Sequence, residues 1–366
     1  MRLVVIIVAA LMILGLAAFG LVSAQKGATP NAMAASTVRV ASRTPVSQIA
    51  EATGSETPVT AATHLAQTTP AQTSSASSAP APNASVQNKP ASYIPTCDKP
   101  GGMGLSRIVE IDATGGPGFG FEHFKQYEFL RDKEVVLTFD DGPWPKNTPS
   151  VLAALAAHCT KAIFFPIGLH ATYEPAILKQ VAAAGHAVGS HTWCHQDLSK
   201  TKGKCLIGGK TQAYEYDPKD EIEKGISAVR WAVGGPTAPF FRFPALRQPQ
   251  ELIDYLGKRN IAIFSTDLDS FDFKMRKPEQ VRQSVMAKLK KHGKGIVLLH
   301  DFQHATGEGA MDLLNDLKAA GYKVVFMKPK FPVTTIASYD EAIMKQVKGP
   351  VSDGRPTSSV VRTISE

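Results

Sequence analysis

From residue 134 onward, short apolar runs rich in β-branched residues alternate with longer amphipathic stretches. The runs fall at 135–139, 162–167, 187–189, 239–243, 261–265, 296–299 and 322–326. Between them, helical periodicity is clear at 148–158, 175–184, 278–290 and 309–320. The runs are continuously apolar, which is the pattern of strands buried on both faces. Their alternation with helices predicts an α/β fold built on a parallel sheet, and seven such strands suggest a barrel, closed or incomplete. The rhythm fades after about residue 332, and the end of the chain reads as disordered.

The pattern before residue 134 is different. Met1 and Arg2 precede an uncharged apolar run at 3–22, about 20 residues, long enough to cross a hydrocarbon core as a helix. Val22-Ser23-Ala24 before Gln25 also has the small residues that a signal peptidase accepts. Residues 1–24 are therefore either a retained membrane anchor or a cleaved signal, and both predict export. Residues 25–92 are dominated by Ala, Ser, Thr, Pro and Gln, too polar to offset the entropy of ordering, and read as a flexible linker. Residues 93–132, with the Gly- and aromatic-rich TGGPGFGFEHF, read as a structured lead-in to the barrel.

Composition adds two points. The net charge of +8 is mild and not gathered into blocks, which argues against a nucleic-acid partner. It fits an anionic envelope glycan or an ordinary basic surface. The four cysteines, in an exported chain, permit two disulfides; the short spacing of Cys194 and Cys205 favours that pair and leaves Cys97 with Cys159. Free thiols are the alternative. A four-cysteine zinc site is disfavoured, because no Cys-x-x-Cys spacing occurs.

In a parallel β/α barrel the active site lies at the C-terminal ends of the strands. Here those ends are polar. One run closes in Phe139-Asp140-Asp141-Gly142-Pro143, and another leads into His191-Thr192-Trp193-Cys194-His195. Others end at Arg242, lead into Asp267, Asp269 and Asp272, or close in His300-Asp301. Two histidines four apart and one carboxylate suffice to hold a divalent metal with open positions. The second carboxylate of the aspartate pair and His300 are then candidates for base and acid. The chemistry implied is metal-assisted hydrolysis of an amide or ester.

Thr-Phe-Asp-Asp-Gly-Pro at 138–143, His191-Thr-Trp-Cys-His195 and Leu298-Leu299-His300-Asp301 resemble motifs of the polysaccharide deacetylase, or NodB-homology, family, over roughly 133–327. The resemblance implies a distorted (β/α)7-type barrel at 133–331, followed by a C-terminal extension at 332–366. It implies Asp140 as catalytic base, Asp141, His191 and His195 as ligands of one zinc-like divalent ion, and Arg242 as the residue that orients the base. Asp272, rather than Asp269, matches the aspartate that tunes the acid His300, and Leu298 matches the lining of the acetyl-methyl pocket. Ala245 stands where an aromatic residue is usual, although its backbone N–H remains available to an oxyanion. Phe273 replaces a common tryptophan. Trp144, just after the first motif, is a candidate to stack on a sugar ring. The Gly- and Lys-rich 200–216 segment looks like an insertion, either a substrate loop or a surface loop. His158, His170 and His186 read as structural or surface residues away from the rim.

The implied function is hydrolysis of the N-acetyl group of amino sugars in a chitooligosaccharide, peptidoglycan or exported glycan. An O-acetyl esterase and a non-catalytic glycan-binding protein are the alternatives. The expected enzyme is a monomer at the periplasmic face of a bacterial inner membrane, in the periplasm or outside the cell. Membrane association would run through residues 3–22.

Overall fold

The computed structural model describes residues 97–207 and 209–347. The expected anchor or signal, the linker and the end of the C-terminal extension lie outside the described residues. The chain runs β1 (Arg107–Ile111), β2 (Gly118–Phe119), β3 (Glu134–Asp140), α1 (Asn147–Ala157), β4 (Ile163–Phe165), α2 (Gly168–Tyr173), α3 (Pro175–Ala183) and β5 (Ala187–Val188). A hairpin follows, β6 (Lys202–Ile207) with β7 (Lys210–Glu215), then α4 (Pro218–Val233), β8 (Phe240–Phe241), α5 (Gln250–Lys258), β9 (Ala262–Phe264) and β10 (Leu268–Asp269). The last elements are α6 (Pro278–His292), β11 (Gly295–His300), α7 (His304–Ala319), β12 (Lys323–Pro329) and α8 (Ala337–Gln346).

Parallel pairings lay out two arcs of a barrel, joined on one side by a single bridge and on the other by the chain itself. β3 pairs with β11 and β4, and β4 pairs with β5. Ser190, just beyond β5, bridges Phe241 in β8, and β8 pairs with β9. The chain then passes from β9 into β10, which pairs with β11. The two-residue side-chain period of a strand sorts this barrel into an inner and an outer face. Val135, Leu137 and Phe139 of β3 join the cluster that contains buried residues of α1, α6 and α7. Val136 packs inside with Ile163, Phe165, Phe240, Phe264 and Ile296. Continuing the inner series by two residues brings Thr138 and Asp140 on β3, Leu298 and His300 on β11, and Arg242 just after β8 to the C-terminal rim. One apolar barrel interior thus ends in one polar mouth.

Several expectations change. Residues 93–132 are more than a lead-in: β1 lies parallel to β12 from Arg107↔Val325 to Ile111↔Pro329, and β2 pairs with β9. The domain expected to open at 133 therefore takes in residues from 107. β1 escaped the pattern because it is an edge strand, Arg-Ile-Val-Glu-Ile, half exposed and without a continuous apolar run. The Arg107 guanidinium donates to both oxygens of buried Glu134, at 2.9 and 2.6 Å, tying this strand to the start of β3. Beyond residue 332 the chain is not patternless either. α8 docks Ile343 into the cluster with Trp193 and Ala228, and Arg230 pairs with Asp340 at 3.0 Å. α4 was unforeseen, although its signals stand in the sequence. Asp217 caps it by accepting from the Lys219 N–H, Pro218 opens it, and Gly234 closes it in the left-handed region.

Both disulfides take the favoured pairing, with Cα separations of 5.4 Å for Cys97–Cys159 and 5.8 Å for Cys194–Cys205. The first closes a loop across a sequence separation of 62, joining the start of the described chain to the end of α1. Replacing Cys97 and Cys159 together by Ser should therefore cost about 2–4 kcal/mol and lower Tm by roughly 5–15 °C. Thermal melting followed by circular dichroism checks this, and an unchanged melt would show that the bond does not hold the segment.

Candidate metal centre and catalytic cleft

Arg242 is fully buried, so each of its donors needs a partner. Nη1 donates to Asp140 Oδ1 and to Thr138 Oγ1, each at 2.7 Å, while Nη2 reaches the Ser265 carbonyl at 2.8 Å and Nε the Phe264 carbonyl at 3.3 Å. The guanidinium also lies 4.5 Å from the Phe165 ring centroid. The Asp140 carboxylate is thereby fixed through Oδ1. Its other oxygen, Oδ2, stands 3.9 Å from His191 Nε2.

Asp141, His191 and His195 bring one donor atom each to within 4.8 Å of one another. Asp141 Oδ1 lies 3.5 Å from Nε2 of both histidines, too long for good hydrogen bonds, and it is a buried oxygen with no hydrogen-bond partner among the described residues. His191 Nδ1–H donates to the Arg242 carbonyl at 2.7 Å, which leaves the Nε2 lone pair facing Asp141. Burial and neighbouring His195 push the His191 imidazole down to about 4, against the pull of Asp140 and Asp141, so it is neutral as a ligand must be. An orphaned carboxylate oxygen facing imidazole lone pairs is a donor set that fits a zinc-like divalent cation.

The backbone strains to reach this arrangement. Asp141, Thr192 and His195 all have positive φ, at 72°, 70° and 52°. Each turn is held from behind. The buried Asp301 carboxylate accepts from the Gly142 N–H at 3.0 Å and from Thr148 Oγ1 at 2.5 Å, and burial pushes it up to about 7. Glu221, at the start of α4, accepts from the Cys194 N–H at 2.9 Å. Gly225 lets the 191–195 turn lie on that helix, since a Cβ there would sit 2.7 Å from the Thr192 carbonyl oxygen.

Across the mouth, buried Asp272 accepts from the His300 N–H at 2.8 Å and holds His300 Nδ1 at 2.6 Å. Burial opposes charge on this imidazole, but the bond and charge of Asp272, with Asp141 and Asp140, raise it to about 9. Its Nε2 faces Asp141 Oδ2 at 4.0 Å. Asp269, the alternative in this segment, accepts from the Phe271 N–H and serves its own turn. Asp267 binds the Ile296 N–H at 2.7 Å and shores up β11. Leu298 is buried two residues before His300. The exposed Phe273 ring stands edge-on to His300, with centroids 5.4 Å apart. Ala245 is exposed on the turn after Pro244, with φ 51°.

Beside the metal-ligand set opens a cleft of about 410 Å³, lined by Asp141, His195, Trp144, Phe302, Leu169, Lys204 and Leu206, among others. Trp144 is exposed here, as a sugar-stacking residue would be. His170 corrects the sequence reading: it lines the same cleft, donates from Nδ1 to the Asp141 carbonyl at 2.7 Å and meets Trp144 edge-on. Nothing in its spacing announced this, because it reaches the rim from the first turn of α2. The 200–216 insertion is the β6–β7 hairpin, and it lines the cleft. Asp301 is a further support residue without an assigned role in the sequence reading; its place beside His300 was the available signal.

A parallel α/β barrel with a carboxylate–imidazole centre at the strand C-termini defines the class of barrel hydrolases that lodge their chemistry at this rim. The polysaccharide deacetylase family model matches residues 129–263. A chitooligosaccharide deacetylase of Bradyrhizobium is 31% identical over 169 residues, which are 46% of this chain and 71% of that protein. The chain belongs to the polysaccharide deacetylase family. It is also similar to a peptidoglycan-N-acetylglucosamine deacetylase of Listeria monocytogenes, 31% identical over 196 residues; these are 53% of this chain but 38% of that longer protein. Among solved structures it resembles the Bdellovibrio bacteriovorus peptidoglycan deacetylase, with TM-score 0.52 and 30% identity over 61% of this chain and 58% of that one.

Because Gly225 sets how closely the His191–His195 turn approaches α4, Gly225→Ala should shift both ligands without removing either. A cost of about 1–3 kcal/mol is expected, together with loss of bound metal on dialysis. Full stability and full metal content in this variant would show that the turn is placed by other contacts.

Proposed function

We propose that the chain is a metal-dependent hydrolase that removes acetyl groups from N-acetylated amino sugars of a glycan. The observation that carries this reading is the combination at one rim. A ligand set fitting a divalent cation is flanked by an arginine-held carboxylate on one side and an aspartate-held imidazole on the other. Asp141, His191 and His195 would hold the ion, most naturally zinc. When bound, such an ion supplies Lewis acidity towards water and towards a carbonyl oxygen.

The residues do the rest. Arg242, itself held by Thr138, fixes Asp140 so that Oδ2 faces the reacting centre and takes the proton of the attacking water as its oxygen bonds to the acetamide carbon. His300 Nε2 gives a proton to the sugar nitrogen as the carbon–nitrogen bond breaks, releasing acetate and a free amine. Asp272 keeps that imidazole oriented and charged. In this reading Leu298 offers apolar surface to the acetyl methyl, the Ala245 N–H donates to the developing oxyanion, and Trp144 offers a ring face to the sugar. The names of the relatives support an amino-sugar substrate. The two disulfides and the apolar run at 3–22 support action outside the cytoplasm.

Acetate release from an N-acetylglucosamine oligomer, compared with an O-acetylated one, tests the bond. Chelated protein should be inactive and recover with added zinc. Asp140→Asn should slow turnover about 10²–10⁴-fold with metal retained, whereas Asp141→Asn should lose the metal. The opposite pattern in the two variants would reverse their roles, and equal rates in chelated and loaded protein would remove the metal from the reaction.

A further inference from the structure

The β6–β7 hairpin is fastened to the turn that carries His195. Cys205 on β6 is bonded to Cys194, the residue before His195. Gln196, the residue after it, is buried and donates from Nε2 to the Lys204 carbonyl at 2.8 Å and to the Cys194 carbonyl at 2.7 Å. The hairpin therefore keeps a fixed position relative to the candidate metal centre.

Strand alternation then decides what it shows to the cleft. Cys205 is buried and Ile207 packs with it, while Lys204 and Leu206, on the opposite face, line the cleft beside His195. The cross-strand register pairs Lys202 with Glu215, and their side chains form an ion pair at 2.5 Å. Lys204 instead faces Ala213. Neighbouring cations are also committed: Lys200 and Arg247 both pair with Asp197. Lys204 has no carboxylate partner among the described residues, and it is the one lysine or arginine among those lining the cleft. Its ammonium is left to a group on the occupant.

We propose that Lys204 is a specificity determinant: it selects N-acetylated amino-sugar chains that carry a carboxylate on or next to the ring bound over His195. This rests on the deacetylase reading and sharpens its substrate class. The ion pair is exposed, so its effect is modest and weakens with salt.

The test uses the full-length protein and two oligomers, an N-acetylated amino-sugar oligomer bearing one carboxylate beside the acetamide and the same oligomer with that carboxylate as its methylamide. For the wild type, kcat/KM should favour the acid about 5-fold at low salt, mainly through KM. Lys204→Gln should bring that ratio to about one, Lys204→Glu should invert it, and Lys204→Arg should preserve it. A wild-type ratio of one, or a preference that survives Lys204→Gln, overturns the assignment. Equilibrium binding of both oligomers separates this failure from that of the deacetylase reading. If neither oligomer is hydrolysed, the deacetylase reading fails. Tighter binding of the acid that is lost in Lys204→Gln would still support the role of Lys204, and equal binding would overturn it.

Discussion

A guanidinium with no access to water organises the mouth of this barrel. Stripped of hydration, Arg242 would be costly unless every donor found a partner, and breaking one such buried pair typically costs about 3–5 kcal/mol. Its partners come from β3, from the end of β9 and from the residue that follows it, with Phe165 of β4 against its plane. Its own carbonyl, in turn, fixes the tautomer of His191. One residue thus sets the spacing of three strand ends and the orientation of Asp140 through its side chain, and the free nitrogen of a candidate ligand through its backbone carbonyl.

Around that centre the same device recurs. A buried carboxylate from one segment takes a backbone N–H at the rim in another: Asp301 for Gly142, Glu221 for Cys194 and Asp272 for His300. Loops with positive φ at Asp141, Thr192 and His195 would relax if left free. Backbone N–H bonds to buried carboxyl oxygens hold them, because neither partner has water to turn to. The Cys194–Cys205 bond extends the arrangement to the hairpin, so a cleft wall moves with the ligand turn. The candidate ligand turn and one wall of the cleft share one rigid support.

The sequence by itself determined the parallel α/β barrel, because buried strands leave continuous apolar runs that need no knowledge of their neighbours. It also determined the rim residues, because strand ends carry Asp140, Asp141, Arg242 and His300 wherever the chain later takes them. Local signals failed where the stabilising partner is remote. β1 is a half-polar edge strand that makes sense only beside β12, and α8 shows its purpose only against α4. The choice of Asp272 over Asp269 gained its physical basis from a 2.6 Å contact with His300, and spacing alone contains no such distance. His170 reaches the cleft from a helix start that looks ordinary in one dimension. The 200–216 segment stayed ambiguous for the same reason. Its composition describes a solvated loop equally well, and only the tertiary register, which pairs Lys202 with Glu215 and leaves Lys204 facing Ala213 over the cleft, decided what it presents. Side-chain period and burial are properties of a segment, whereas partners, and so charge balance and access, are properties of the folded chain.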